Sequence, residues 1–86
     1  MNNSYYLYRL FPENDCEAEI FGKFSTLSEA KLSAKLLLIN YSSFILSGDM
    51  TKIYFYDYKN GWDYDILTES GKEEFLEMYP DPSKYI

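Results

Sequence analysis

At 86 residues, 47% of them hydrophobic, the chain is long enough for one domain with a single core and too short for two. That hydrophobic share excludes intrinsic disorder, and the longest pure apolar run, residues 36–39, is far short of the roughly 18 residues of a membrane span. A net charge of -6 argues against direct binding to a phosphate backbone, which Lys and Arg drive, and points toward a cationic partner.

The first residues, Met1-Asn2-Asn3-Ser4, lack the basic cluster and apolar core of a secretory signal. One cysteine, Cys16, cannot form an internal disulfide. A reducing cytoplasm is therefore the expected compartment.

In chain order, residues 5–11 (YYLYRLF) are aromatic and branched and stop at Pro12, which predicts a first strand. Residues 13–17 read as a polar connection, and residues 18–24 alternate as a second strand, so a hairpin with a wide acidic loop is expected. Thr26 followed by Glu29 is a capping box and starts a helix. Its buried stripe is Leu27, Ala30, Ala34, Leu37, Leu38 and Tyr41, and Leu32, Leu36 and Ile39 form a second stripe. The helix is expected to end between Asn40 and Leu46, with Ser47-Gly48-Asp49 as the stop. Phe44-Ile45-Leu46 fits either a helix end or a short strand, because three residues show no period.

Residues 52–58 and 62–67 flank an Asn60-Gly61 step, the strongest short-range mark of a tight β-hairpin. Ser70 with Glu73 offers a second capping box for a short helix containing Phe75, Leu76 and Tyr79, stopped by Pro80. Residues 80–86 have no periodic pattern and are expected to be loosely attached. The whole reads as a single α+β domain over residues 1–86, in the order β-β-α-β-β-α. About four antiparallel strands are expected, with one main helix packed on one face.

The register of the second hairpin decides which side chains it displays, since a slip of one residue exchanges the faces. A two-residue loop pairs Tyr58 with Asp63 and Asp57 with Tyr64, and turns Tyr54, Tyr56 and Tyr58 outward beside Asp63 and Asp65. A three-residue loop pairs Tyr58 with Trp62 and sets Asp57 against Asp63, collecting Tyr54, Tyr56, Tyr58, Trp62, Tyr64 and Ile66 on one face and leaving Asp57, Asp63 and Asp65 on the other with Ile53 and Phe55. Directly opposed acids cost a few tenths of a kcal/mol or more. The two-residue loop is therefore the expected one. Asp63 and Asp65 share a face in both, roughly 7 Å apart, a spacing that resembles neighbouring phosphates.

Charge is concentrated in this region. Residues 53–81 hold eight acids against Lys59 and Lys72, whereas residues 1–52 hold six acids against five bases. Catalytic chemistry finds little support by comparison. Without histidine the commonest general base, the usual zinc ligand and the Ser-His and Cys-His pairs are missing. Cys16 sits among Glu13, Asp15 and Glu17, which disfavour its thiolate. No phosphate-cradling glycine loop and no EF-hand spacing is present. No catalytic residue, metal or cofactor is expected.

What remains is tyrosine interleaved with acid, and aromatic residues are enriched at protein interfaces. The expected function is a non-catalytic module that binds a protein with a basic surface, such as the nucleic-acid groove of an enzyme, without touching nucleic acid or membrane itself. Tyr54, Tyr56 and Tyr58 would anchor it, and Asp57, Asp63, Asp65, Glu69, Glu73, Glu74 and Glu77 would supply its field. An acidic inhibitor of that composition fits counter-defence or regulatory proteins of phage and bacteria. The alternative is a self-associating domain that dimerises through the second helix stripe or an open sheet edge.

Overall fold

The computed structural model describes residues 4–11, 14–37, 41–57 and 59–84, the side chains of residues 14–17 excepted. Five antiparallel strands form one sheet: β1 (Tyr5–Phe11), β2 (Asn14–Phe24), β3 (Ser43–Ser47), β4 (Lys52–Asp57) and β5 (Gly61–Ile66), in the spatial order β2-β1-β3-β4-β5. Helix α1 (Leu27–Leu37) lies between β2 and β3 in the chain, and α2 (Glu69–Met78) follows β5. The α+β class holds. Among the described residues the strand count is five, not four, because Phe44-Ile45-Leu46 belongs to β3.

This central strand is buried from end to end, with neighbours on both edges and helices on both faces. An element covered on all sides has no polar face, so it shows no alternation in sequence. Ser47-Gly48-Asp49 accordingly ends β3 rather than a helix. The acidic stretch expected as a wide loop is also largely strand, since β2 begins at Asn14. As an edge strand β2 can carry charge on its exposed positions, and its pairing with β1 shifts register twice, between Leu7 and Tyr8 and between Leu10 and Phe11.

Directly paired residues lie on one face, which sorts the core into two layers. Tyr6, Tyr8, Phe44 and Leu46 form one apolar cluster with Phe75 of α2, and Ile53, Leu67 and Tyr79 pack against it. Leu7 and Ile45, from the alternate positions, form the other with Ala30 and Ala34 of α1, joined by Tyr54 and Trp62. The expected single covering helix is therefore half of the arrangement. A helix occupies each face, and α2 reaches its face through long aromatic side chains, Phe75 and Tyr79 on Phe44 at 5.9 and 5.2 Å between ring centres.

Both helices begin on threonine. Glu29 donates its backbone N–H to Thr26 Oγ1 at 3.2 Å, and the Thr26 hydroxyl in turn meets Glu29 Oε1 at 3.1 Å. The cap of α2 is Thr68, whose hydroxyl accepts Gly71 N–H at 3.2 Å, two residues ahead of the expected Ser70. Ala30 and Ala34 are completely buried one turn apart, which lets α1 approach the sheet closely. Leu32 and Leu36, from the second stripe, stay 66% and 71% exposed. Leu38 and Ile39 lie outside the described residues.

Beyond α2, Pro82 is buried within a short 3₁₀ turn (Pro82–Lys84), and Asp81 Oδ1 accepts both the backbone N–H and the hydroxyl of Ser83. Burial, chiefly, and the nearby Asp81 push the Tyr8 phenol well above its ordinary pKa.

Candidate functional site

The β4–β5 hairpin adopts neither expected register. Asp57 pairs with Gly61, Tyr56 with Trp62, Phe55 with Asp63, Tyr54 with Tyr64 and Ile53 with Asp65. Residues 58–60 form a three-residue loop, one residue earlier than in the three-residue alternative, and the division of side chains between the two faces is the one that alternative implied. The Asp57 carboxylate is used inside the turn, accepting the Lys59 N–H at 2.9 Å on Oδ1 and the Asn60 side-chain amide at 3.0 Å on Oδ2. Gly61 closes the turn at φ 77, a left-handed conformation that glycine enters without steric cost. Asp57 thereby faces a glycine, and Asp63 and Asp65 face Phe55 and Ile53, so the repulsion that disfavoured the longer loop does not arise.

This register separates the tyrosines from the acids. Tyr54, Tyr56, Trp62, Tyr64 and Ile66 lie on the α1 side of the sheet, where Tyr54 is half-buried in the core cluster. Burial raises the Tyr54 pKa above its ordinary value. Tyr56 is 38% exposed and meets Trp62 edge-on at 5.6 Å. Two cations accompany this side: Lys31 lies 5.8 Å from the Trp62 ring centre and Lys52 5.1 Å from that of Tyr64. Tyr58 lies outside the described residues.

Asp63 and Asp65 project from the α2 side, both exposed. On α2 itself Glu73, Glu74 and Glu77 are exposed, while Glu69 in the first turn pairs with Lys72 at 3.3 Å. Among the described residues, Asp63, Asp65, Glu73, Glu74 and Glu77 have no ion-pair partner. The structure thus collects the acids of β5 and α2 on one side, with Asp57 engaged in the turn at its edge.

The other conspicuous charge, Arg9, is already committed. It pairs with Glu19 and lies over the rings of Tyr41, Phe11 and Phe21, the closest at 4.8 Å. An open groove of about 530 Å³ runs between β2 and the end of α2, lined by Glu19, Ile20, Leu76, Pro80, Asp81 and Lys84, remote from the hairpin residues. Among the described residues, no cluster of three or more His, Cys, Asp or Glu is disposed to hold a metal, and no helix is long and apolar enough to cross a membrane. The side chain of Cys16 lies outside the described residues.

Sequence reasoning placed Tyr64 and Ile66 beside Tyr54 and Tyr56 only in the three-residue alternative, and it missed Lys31 as a neighbour of Trp62 and Lys52 as a neighbour of Tyr64. No protein-family model, curated protein or solved structure matches this chain.

Proposed function

We propose that the protein is a non-catalytic module that binds the cationic surface of a partner protein through the α2 side of β5 and the outer face of α2. The supporting observation is that Asp63, Asp65, Glu73, Glu74 and Glu77 are exposed on one side of the sheet and unpaired among the described residues. Carboxylates left unneutralised in this way raise the local concentration of a basic partner and speed its encounter. A nucleic-acid groove is a strongly basic protein surface, and occupying it would inhibit its owner. Interference with a nucleic-acid-directed defence enzyme is one setting in which a small acidic inhibitor of this kind would act.

The test is capture of partners from bacterial lysate on the immobilised chain, with and without competing DNA or RNA. Capture of a basic protein, displaced by nucleic acid and lost in the Asp63→Lys/Asp65→Lys variant, is the expected result. Recovery that ignores both the competitor and the charge reversal would rule the reading out.

A second reading, self-association, is favoured by one observation: Leu32 and Leu36 are exposed side by side on the outer surface of α1. Light scattering across a concentration range separates the two, because an obligate monomer leaves that stripe without a copy to cover it.

A further inference from the structure

Among the described residues, strand β5 lies at the edge of the sheet, with β4 on one side only. Edge strands ordinarily carry protection against further pairing, in the form of charged side chains, proline or a bulge, and a charge of one sign repels only strands of like charge. The opposite edge, β2, has two register shifts and an exposed Lys23. Strand β5 (GWDYDI) has no proline, no lysine and an unbroken register with β4, and residues 63–66 are all exposed.

Its backbone can be sorted into inward and outward groups. In an antiparallel ladder, alternate residues turn their N–H and C=O away from the neighbouring strand. Leu67 donates its N–H to Thr51 at 2.8 Å, toward β4, so odd-numbered positions point inward. Tyr64 instead donates to the carboxylate of its own neighbour, Asp63, at 2.8 Å. The outward set is therefore Trp62, Tyr64 and Ile66, and the middle one is held by a side chain that a competing carbonyl can replace.

The side chains show which strand would suit this edge. On the α2 side an incoming strand meets Asp63 and Asp65, two positions apart. On the α1 side it meets Trp62, Tyr64 and Ile66, the last two 50% and 70% exposed. A second copy of β5 is a poor fit. A two-fold antiparallel pairing keeps like faces together, so centring it on residue 63, 64 or 65 sets at least one aspartate directly against another. A strand with basic residues at alternate positions and apolar residues between them has the complementary charge and polarity.

We propose that β5 accepts an extended segment of the partner as a sixth strand, with alternate Lys or Arg side chains against Asp63 and Asp65 and apolar side chains against Tyr64 and Ile66. This rests on the acidic-surface reading and specifies how the partner is held. Main-chain hydrogen bonds to residues 62, 64 and 66 give attachment, and the alternating pockets give selectivity. On docking, a partner carbonyl takes the Tyr64 N–H, and the released Asp63 carboxylate turns to a basic side chain.

The experiment uses the isotope-labelled full chain and two eight-residue peptides of identical composition. In one, lysine and valine alternate; in the other, four lysines precede four valines. The alternating peptide is expected to slow amide exchange at Trp62, Tyr64 and Ile66 about tenfold or more, whereas the block peptide leaves those amides unprotected. Asp63→Asn/Asp65→Asn should weaken the alternating peptide about fivefold, as loss of two exposed charge pairs implies. Tyr64→Pro removes one outward N–H while leaving the β4 ladder intact, and should abolish the protection without altering binding of the block peptide. If both peptides bind with shifts over the acids and no protection at residues 62, 64 and 66, strand addition is overturned and the acidic surface survives. If neither binds, both readings fall. The comparison of the two peptides on the wild-type chain depends on no variant.

Discussion

The Tyr8 hydroxyl donates a 2.7 Å hydrogen bond to the carbonyl of Pro80, joining the first strand to the chain just beyond α2. The same ring stacks on Phe44 at 4.9 Å and meets Phe75 edge-on at 5.4 Å. One tyrosine therefore links the centre of the sheet, the α2 layer and the C-terminal turn. Since α2 displays Glu73, Glu74 and Glu77, its seating on Tyr8 and Phe44 also decides how the acidic side is presented.

Tyr8→Phe keeps the ring and deletes the bond. A loss of about 1 kcal/mol is expected, the usual net worth of one intramolecular hydrogen bond. It should appear as a lower urea midpoint with an unchanged slope. Tyr8→Ala removes the whole ring from a fully buried site and should cost about 3–5 kcal/mol.

Alkaline stability follows from the same residue. Burial raises the folded pKa of Tyr8 above that of the unfolded chain, so its contribution is complete below about pH 10 and is lost as pH rises toward the folded value. Above pH 10 the unfolded chain releases the phenolic proton while the native chain retains it. The wild type should lose thermal stability through that range more steeply than Tyr8→Phe. Parallel melting curves between pH 8 and pH 11 check this, and equal slopes would remove Tyr8 as the cause.

Acid behaviour centres on the β3–β4 turn. Asp49 Oδ1 accepts from the Thr51 hydroxyl, the Ser47 hydroxyl and the Thr51 N–H, at 2.7, 2.8 and 3.1 Å. These bonds hold its carboxyl below the ordinary value, the Thr51 side chain contributing most. The stabilisation is full above the unfolded carboxylate pKa of about 4 and disappears as pH falls through the lower folded value. Asp49→Ala should therefore cost about 1 kcal/mol or less at neutral pH, and the two proteins should converge at low pH. A difference that persists at pH 2 would point to backbone strain instead, since Met50 in that turn sits at φ 58.

Gly61→Ala isolates the turn conformation. A methyl group there would meet nothing within 4 Å, so the cost comes from the φ of 77 alone. About 1–2 kcal/mol is expected. Gly61→Asn, which tolerates the left-handed region better, should recover part of it. Thermal melts of the three proteins decide the point.

The elements with a strong local signal were legible in the sequence. Thr26 and Glu29 marked the start of α1, the alternation around Asn60-Gly61 marked the second hairpin, and Phe75 and Tyr79 marked the buried side of α2. What escaped depended on tertiary context. Phe44-Ile45-Leu46 is a strand because it lies at the middle of the sheet under two helices, and burial on both faces erases the period by which strands are recognised. The hairpin register escaped because the Asp57 carboxylate closes the turn on Lys59 and Asn60, and Gly61 alone takes the left-handed conformation that a two-residue turn would also require of Asn60. A loop of three residues rather than two puts Tyr54 and Tyr56 on the side opposite Asp63 and Asp65, as the three-residue alternative had it. The acids of the candidate site were thus readable as a group, while the grouping of acids with tyrosines was not.

The two faces of α1 give the last prediction. Ala30 and Ala34 are fully buried over Leu7 and Ile45, and Leu32 and Leu36 stand in solvent on the same helix. Enlarging a position in a closely packed layer forces neighbours off their rotamers, so Ala34→Leu should destabilise by about 1–3 kcal/mol although it adds apolar surface. Replacing an exposed leucine alters little in a monomer, and Leu32→Gln/Leu36→Gln should fall within about 0.5 kcal/mol per site. If the exposed pair instead joins two copies, the double glutamine variant would lose stability in proportion to the occupied dimer, and its melting temperature would cease to depend on protein concentration. Melting curves of the wild type and the double variant over a hundredfold range of concentration distinguish these outcomes, with a concentration-independent wild type expected for a module that binds its partner as a monomer.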